Sequence, residues 1–528
     1  MTIAGTLKWA IALGEAPLRR WERDACDKAV ADHAGQFIGV VAAASTASAT
    51  SLSQRSFARS LQADMEGTSL DALQPDECDR WLESLPRTTD GTVPDIVLCL
   101  AGAQAPRDLR AGMRVWKFAS ADGLDPAVLP VGAREAMKRS YSASMVLADT
   151  TSRKLIQHGT FAVFPGEAVR TAVTMADLAS NWVRHALLLS ARNGAGAQAL
   201  EFDRPIPCPR PWEVLWNRIA RWLIKEGTPH SHVNLADWNI GVLHQPIRTL
   251  LNEDASKNVR WFPPPSNGKG RLEPFGYRTA DGELNVLYTK TDGERDRSAI
   301  ARLRPKPDNI LKRSRTMLDV EPEHGYPYVV VLQGDVHMLR TVRSENTTDL
   351  YRVNASNDGT EPVSTLLNEA LYSPTLFEHN GRWWLMGTLR PQVDAALYIY
   401  HASHPSGPFA PHMLNPVKCD IAGARPAGTP FVDEGQLWRP ALDLSDPGSP
   451  AVVIHRVDAL APDRFAETPH RTVEAFANSA YGRGVRTVCA MGDVTLVDGL
   501  RSPLLAASEA NASRSKRKRS RTSNQNDA

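Results

Sequence analysis

Short, continuously apolar runs alternate with helix-like stretches in the first part of the chain. The runs Lys8–Leu13, Gln36–Ala44 and Asp95–Leu100 have the length and composition of buried strands. Met175–Ala191 repeats its apolar residues at helical spacing. Strands without a polar face, separated by helices, are typical of a sheet that helices cover on both sides. We therefore predict an α/β domain with a mostly parallel sheet over residues 1–200.

A second pattern recurs along the later part of the chain. Each copy contains a proline, an apolar stretch, a turn with glycine, and an apolar or aromatic run, which is typical of a β-hairpin. The spacing of about 50 residues between copies belongs to propeller blades and other repeat folds. The prolines that mark the clear copies are Pro274, Pro327, Pro374 and Pro430. With a weaker copy at 487–499, the pattern predicts an all-β five-bladed propeller over residues 271–504, with its first strands expected from near residue 235.

The pattern is weaker between these domains and after them. Residues 201–270 predict a linker with one amphipathic helix, Pro211–Glu226, followed by the entry into the propeller. The stretch 505–528 has almost nothing to bury and is expected to be disordered. Its basic run Arg514–Arg521 has the charge to contact phosphate groups, but it lacks interleaved aromatic residues. We interpret it as a solvated tail and do not expect nucleic acid as a partner.

The composition is that of a globular protein and disfavours two classes of partner. The 528 residues are 42% hydrophobic and 23% charged, with a net charge of +2, which predicts no strong field towards nucleic acid or a membrane. No run reaches the roughly 18 apolar residues that span a bilayer, and the first residues lack the pattern of a signal peptide. The cysteines have neither CxxC nor zinc spacing. We therefore expect reduced thiols, no membrane span and a cytoplasmic location.

The first domain predicts a nucleotide-binding type of fold without a nucleotide signature. Gly14 alone, after the first strand, is not a dinucleotide fingerprint, and there is no P-loop. We assign no residue to a cofactor or a metal, and the cofactor stays unknown. The segment Gly112–Phe118 resembles the strand before the active-site loop of the formyltransferase-like domain. That family carries a histidine that the residues after Phe118 lack, so formyl transfer to an amino sugar is the disfavoured alternative.

The propeller region also resembles a known family. The motifs are Glu273–Gly276, Tyr326–Tyr328, Ser373–Leu385, Gly407–His412 and Gly492–Arg501. Through these motifs the region resembles the N-terminal domain of glucosamine inositolphosphorylceramide transferase and its bacterial relatives. Those relatives often carry this domain joined to a formyltransferase-like domain. The resemblance implies a shape like the five-bladed propellers of some glycoside hydrolases, with carboxylates around a central funnel. The Asp-x-Asp motif of the plant relatives' separate glycosyltransferase domain is absent, which disfavours glycosyl transfer by that route.

Candidate site residues follow from these motifs. Glycoside hydrolysis needs an acid and a base or nucleophile on facing carboxylates, and arginine can donate two hydrogen bonds to a phosphate or carboxylate. The relatives usually have Asp before the first and third blade prolines, where this chain has Glu273 and Ser373. An alternative interpretation pairs Arg439 with Asp443 in a purely structural contact. The candidates are Glu273 and Asp443 as catalytic residues, and Tyr326, Ser373, Arg425, Arg439 and Arg486 as substrate-binding residues.

These residues support two interpretations of function. One is a carbohydrate-active protein of glycan or glycoconjugate biosynthesis, transferase or glycosidase-like, with a sugar or sugar-phosphate site at the funnel. The other is a catalytically degenerate sugar-binding or scaffold protein, so the sequence leaves open whether the protein is an enzyme. The expected partners are a sugar or sugar phosphate and other proteins of glycan biosynthesis. Close carboxylates in the funnel would favour catalysis, whereas Tyr, Ser, Thr and Arg would favour binding.

Overall fold

In the computed structural model the chain divides into two compact units. The first comprises Met1–His230 and Cys419–Ile421, and the second comprises Ser231–Lys418 and Ala422–Ala528. The predicted tail 505–528 lies outside the described residues, as does most of the predicted helix Pro211–Glu226, of which 212–216 are helical. The structure describes residues 7–44, 51–86, 92–190, 198–210, 212–216, 237–253, 258–265, 269–279, 282–292, 297–304, 315–320, 325–354, 359–476 and 479–502.

A mixed sheet of seven strands, in the order β2-β1-β3-β4-β5-β6-β7, forms the centre of the first unit. Its strands are β1 (Lys8–Leu13), β2 (Gln36–Val41), β3 (Ile96–Leu100), β4 (Arg114–Ser120), β5 (Ser142–Asp149), β6 (Lys154–Ala162) and β7 (Gln198–Ala199). The described helices of this unit with assigned bounds are α1 (Arg20–Ala31), α2 (Leu52–Met65), α3 (Pro75–Ser84), α4 (Ala133–Met137), α5 (Ala168–Ala179) and α6 (Trp182–Ser190).

The sheet changes direction halfway across. The strands β2, β1, β3 and β4 are parallel, whereas β5, β6 and β7 pair in antiparallel. The prediction of a mostly parallel sheet therefore holds for the first four strands only. The short link 150–153 between β5 and β6 accounts for the direction of that pair, because a turn of this length joins antiparallel strands. The Asp149 carboxylate fixes that turn by accepting hydrogen bonds from Thr151 N at 3.0 Å and Ser152 N at 3.2 Å.

Aromatic side chains connect the helices of the first unit to its sheet. Trp21 of α1 meets Phe118 of β4 edge to face, with 5.0 Å between ring centroids. Phe118 also stacks on Trp182 of α6 at 6.4 Å. The helices shield the sheet from water, and β3 is buried at every position. A strand that is buried on both faces needs apolar residues throughout, as β3 has. The formyltransferase-like architecture of this unit stays a prediction.

The second unit is a five-bladed β-propeller, with one sheet for each blade in the described part of the chain. Blade 1 contains β10 (Lys269–Arg278), β11 (Leu284–Asp292), β12 (Arg297–Leu303) and β13 (Arg315–Val320). Blade 2 contains β14 (Val329–Leu332), β15 (Asp335–Val342), β16 (Thr347–Val353) and β17 (Thr360–Leu367). Blade 3 contains β18 (Tyr372–His379), β19 (Arg382–Thr388), β20 (Ala396–Ala402) and β21 (Ala410–Pro411), and β22 (Lys418–Cys419) follows it. Blade 4 contains β23 (Phe431–Asp433), β24 (Gln436–Asp443), β25 (Ala451–Ala461) and β26 (Arg464–Val473).

Blade 5 combines strands from both ends of the propeller. Its order is β27 (Val488–Met491), β28 (Val494–Leu500), β8 (Trp238–Leu243) and β9 (Arg260–Trp261). β28 pairs with β8 in antiparallel, with Val497 opposite Gly241. A 3-10 helix, Ile247–Leu251, separates β8 from β9. The early strand β8 thus closes the ring against the last strand of the propeller by main-chain hydrogen bonds.

Two-residue turns join the first two strands of three blades. Both residues of each turn have positive φ: Gln333 and Gly334 in blade 2, Asn380 and Gly381 in blade 3, Glu434 and Gly435 in blade 4. Such turns match the twist of a β-hairpin, and glycine adopts positive φ without a steric cost. The recurring glycine in the sequence pattern therefore marks the innermost hairpin of each of these blades.

Candidate functional site

In three blades the residue directly before the proline of the recurring motif has an unusual backbone conformation. Glu273, Tyr326 and Ser373 have φ values of 54°, 58° and 49°. A non-glycine residue in this left-handed region costs about 1–2 kcal/mol, so the surrounding contacts must hold it there. The ladder is interrupted at two of these places, since pairing skips from Leu272 to Phe275 in blade 1 and from Tyr372 to Thr375 in blade 3. These irregularities turn the Glu273 and Ser373 side chains out of the regular strand pattern, and Tyr326 lies just before the first strand of blade 2.

Glu273 connects three blades through its carboxylate and its main chain. Its Oε2 accepts hydrogen bonds from Thr289 Oγ1 at 2.7 Å and from Tyr326 N at 2.8 Å. Its Oε1 accepts one from Arg486 Nε at 3.3 Å. Its own N–H donates to Asp498 Oδ2 at 2.8 Å. Blade 1 is thereby tied to blade 2 and to blade 5, and both carboxylate oxygens of Glu273 are occupied.

Asp498 is the fully buried acceptor beneath this contact. Besides Glu273 N, it accepts hydrogen bonds at Oδ1 from Arg486 N at 2.9 Å and Thr487 N at 2.7 Å. Burial raises the pKa of Asp498 to about 6, although the main-chain N–H donors and Arg486 oppose the rise. Asp498 therefore fixes the main chain of two blades at the same point.

Tyr326 reaches across the propeller to blades 3 and 4. Its hydroxyl accepts a hydrogen bond from Gly428 N at 2.8 Å and lies 3.4 Å from Thr375 Oγ1. Gly428 belongs to the segment that runs beside β24, since Ala427 N donates to Pro440 O. Burial raises the pKa of the Tyr326 phenol, so this group stays neutral at physiological pH.

Arg425 links blades 3 and 4. Its Nε donates to Ser373 Oγ at 2.9 Å, and its Nη1 lies 2.8 Å from Asp394 Oδ1. Contacts therefore pass from blade to blade around the axis. We call this set the axial ring and define it as Glu273, Tyr326, Ser373, Thr375, Arg425, Gly428, Arg486 and Asp498.

Two predicted site residues lie outside the axial ring. Arg439 donates to both oxygens of Glu467, at 2.8 and 2.7 Å, and to Gly423 O at 2.5 Å. Asp443 accepts a hydrogen bond from Ser445 N at 2.8 Å, in the turn that follows β24. Arg439 and Asp443 thus do not pair with each other. The structure brings Glu273, Tyr326, Ser373, Arg425 and Arg486 into one hydrogen-bonded ring and leaves Arg439 and Asp443 out of it.

Sequence reasoning missed Asp498, Thr289 and Thr375. The available signal for Asp498 was its place in the otherwise mostly apolar strand 494–500, because a carboxylate in a buried strand needs several donors. Thr289 and Thr375 gave no such signal, since threonine is common in strands.

In the first unit, the loop after β4 is fixed by an ion pair. Arg134 donates to both oxygens of Asp122, each at 2.7 Å, and Ile206 N donates to Asp122 Oδ2 at 2.9 Å. Burial raises the pKa of Asp122, but the hydrogen bonds from Arg134 and Ser120 outweigh it and hold the pKa below its ordinary range. In the part of the chain that the structure describes, no group of three or more His, Cys, Asp or Glu side chains could hold a metal ion. None of the described helices is long and apolar enough to cross a membrane.

The chain is similar to part of a plant enzyme family. Residues 310–486 match the family described as "Glucosamine inositolphosphorylceramide transferase 1, N-terminal". The chain is 27% identical over 151 residues to glucosamine inositolphosphorylceramide transferase 1 of Oryza sativa subsp. japonica, covering 28% of this chain and 20% of that protein. The Arabidopsis thaliana protein of the same name is 25% identical over 150 residues, covering 27% of this chain and 20% of its own length. The chain thus spans about a fifth of the length of these curated relatives.

Two solved structures with similar parts are glycoside hydrolases. Zg3597, a family 117 glycoside hydrolase of Zobellia galactanivorans, has a TM-score of 0.33 at 14% identity and covers 46% of this chain and 88% of its own. An exo-β-1,3-galactanase of Clostridium thermocellum has a TM-score of 0.30 at 12% identity, covering 42% of this chain and 58% of its own. The matched range 310–486 includes Tyr326, Ser373, Arg425 and Arg486, so most of the axial ring lies in the part of this chain that is similar to the N-terminal region of glucosamine inositolphosphorylceramide transferase 1.

Proposed function

We propose that this protein binds a sugar-bearing ligand at the funnel of its propeller and acts in glycan or glycoconjugate biosynthesis. The observation that carries the proposal is the axial ring, to which all five blades contribute polar groups. A sugar presents many hydroxyl groups within a small volume, so its binding needs several donors and acceptors fixed close together. The similarity of residues 310–486 to part of a transferase named for a glycosylated lipid supports the carbohydrate class.

The occupied carboxylates support binding more than hydrolysis. A glycosidase of the two-carboxylate type needs a carboxylic acid that reaches the glycosidic oxygen and a second carboxylate facing it. Glu273 already accepts hydrogen bonds at both oxygens, and Asp498 is fully buried under three main-chain donors. Asp443 lies in a turn with Ser445. The funnel that we propose is therefore a binding site in which Glu273 orients its neighbours.

Three further statements stay proposals from the sequence. They are the formyltransferase-like architecture of the first unit, a cytoplasmic location, and partnership with other proteins of glycan biosynthesis. The proposal for the funnel does not depend on any of them.

Calorimetry on the full chain tests the proposed function. Glucosamine, N-acetylglucosamine, glucuronate and glucose 6-phosphate are titrated into the wild type and into Glu273→Gln. Because the variant removes the charge that holds Arg486, Thr289 and Tyr326 together, we expect at least one of these sugars to bind and its affinity to fall roughly 10-fold. Glu361→Gln, which changes an exposed glutamate on β17, is the matched control and should bind like the wild type. Binding that Glu273→Gln leaves unchanged would place the sugar elsewhere.

A further inference from the structure

The Arg486 side chain is held by its inner nitrogen, Nε, and not by its two terminal amino groups. Its main-chain N–H donates to Asp498, and its Nε donates to Glu273 Oε1. Its terminal amino groups, Nη1 and Nη2, have no protein partner among the described residues, and the side chain is 21% exposed. The guanidinium is therefore anchored by its inner nitrogen while its outer edge keeps its donors.

The anchoring reduces the entropy that a ligand must overcome. Glu273, which orients Arg486, is itself fixed by Thr289 and by the main chain of Tyr326. Asp498 fixes the main chain on both sides of that contact. A guanidinium that is already oriented loses less side-chain freedom on binding, so more of each hydrogen bond is kept as affinity.

The outer edge of the Arg486 guanidinium can donate hydrogen bonds but cannot accept them. Each carboxylate oxygen next to it, on Glu273 and on Asp498, already accepts at least one hydrogen bond. Sugar hydroxyls both donate and accept, whereas the oxygens of phosphate and carboxylate groups only accept. A planar fork of donors fits two oxygens of such a group, and the contact is charge-assisted.

We propose that Arg486 binds an oxyanion substituent of the sugar ligand, a phosphate or a carboxylate, through its two terminal amino groups. This inference rests on the proposed sugar site and names the class of sugar that the site takes. Glu273 is then a positioning residue, which acts through Arg486 and does not touch the oxyanion.

Arg425 differs from Arg486 in a way that assigns the two arginines different roles. The Arg425 guanidinium forms an ion pair with Asp394 at 2.8 Å, and only 8% of its side chain is exposed. Its charge is therefore compensated at close range inside the ring. Arg486, whose nearest carboxylate contact is 3.3 Å away, is the more exposed of the two.

Calorimetry with four probes tests the assignment. Glucose, glucose 6-phosphate, glucuronate and inorganic phosphate are titrated into the full-length wild type, Arg486→Gln and Arg486→Lys. We expect glucose 6-phosphate or glucuronate to bind roughly 10- to 100-fold more tightly than glucose, because a charge-assisted contact adds that much. Arg486→Gln should remove this preference, and Arg486→Lys should keep part of it, because it retains the charge and loses the fork. Which of the two anions binds more tightly identifies phosphate or carboxylate as the source.

A control and a salt titration separate the outcomes. Arg352→Gln, at an exposed position on β16, should bind all four probes like the wild type. The preference for the anionic sugar should shrink as salt is added, since charged contacts near the surface are screened. Equal affinity for glucose and for both anionic sugars in the wild type overturns the role of Arg486 but leaves the sugar site standing. If the wild type binds none of the sugars, both the sugar site and the role of Arg486 are overturned. This outcome is read in the wild type, so it does not depend on whether a variant folds.

Discussion

Arginine meets glutamate at two places in the propeller, once in the axial ring and once inside blade 4. In blade 4, Arg439 donates to both oxygens of Glu467, and Lys418 Nζ adds a third contact at 2.8 Å. In the ring, Arg486 reaches Glu273 through Nε alone. The exposed fraction of the side chain is 2% for Arg439 and 21% for Arg486.

The difference separates a structural arginine from one that is able to bind a ligand. Two donors of Arg439, Nε and Nη2, bind the Glu467 carboxylate, and its remaining amino group, Nη1, is buried. Burial raises the pKa of Glu467, but the attraction of Arg439, His455 and Lys418 outweighs it and keeps that pKa well below its ordinary range. Arg486 keeps an outer edge with free donors. The sequence shows only that both residues are arginines. The structure distinguishes them by how many of their guanidinium donors already form hydrogen bonds within the protein.

The largest effect is expected from Glu467→Gln. Neutralising Glu467 leaves Arg439 of blade 4 and Lys418 of β22 without their counter-charge, which should cost about 3–5 kcal/mol of unfolding free energy. Urea denaturation followed by tryptophan fluorescence measures the loss, and hydrogen exchange of peptides from β24–β26 assigns it to blade 4. The conservative control Glu361→Gln should stay within about 0.5 kcal/mol of the wild type. A neutral Glu467→Gln variant would contradict the structural role given to this cluster.

Asp498→Ala should come next. It leaves three main-chain donors of blades 1 and 5 without an acceptor, at about 1 kcal/mol for each, the lower end of the range because none of these N–H groups is charged. The expected loss is therefore about 3 kcal/mol, seen as faster hydrogen exchange in β10, β27 and β28. Asp493→Ala, in the exposed turn between β27 and β28, is the matched control. Unchanged exchange in Asp498→Ala would mean that the ring does not hold the blades together.

Asp498 also gives stability a pH dependence with a defined sign. Its pKa in the folded state is about 6, above the ordinary value near 4 that it has when unfolded. The folded state therefore binds the proton more tightly, so this contribution is complete below about pH 4 and is lost as the pH rises to about 6. The unfolding free energy of the wild type relative to Asp498→Asn should fall by up to about 3 kcal/mol over that window. A difference that rises with pH would refute the raised pKa.

The smallest effect is expected from Tyr326→Phe. The change removes the acceptor for Gly428 N and leaves the ring contacts of Phe275 in place, at a cost of about 1–2 kcal/mol. Tyr351→Phe, which removes a hydroxyl contact with Arg340 on partly buried strands, is the comparison variant and should cost less. Equal losses in thermal denaturation would show that the contact across the axis stabilises the fold no more than the contact between Tyr351 and Arg340.

Local patterns made the blades predictable from the sequence. The glycine turns and the recurring prolines each act over a few residues, and they identified the innermost hairpins of blades 2, 3 and 4. In the first unit the apolar runs identified β1 and β3, but they did not reveal that β5 to β7 are antiparallel. The short turn 150–153 sets the direction of β6 against β5, and the residue composition of a strand does not record the direction in which the strand runs.

The axial ring was only partly predictable because its contacts are remote in sequence. Glu273 and Arg486 are 213 residues apart, and Glu273 and Asp498 are 225 residues apart. A residue before a blade proline can be named from the motif, whereas its partner depends on how five blades close. The roles of Arg439 and Asp443 were open for the same reason, because Glu467 and Ser445 had no motif to connect them with the candidates.

The most direct test of a ligand site at the axial ring is hydrogen exchange of the full chain with and without glucose 6-phosphate, read by mass spectrometry. The account predicts slower exchange on ligand addition in the peptides that contain Glu273, Tyr326 and Arg486, with no change in peptides from the outer strands of the blades. Protection confined to the first unit, or none in any propeller peptide, would contradict it.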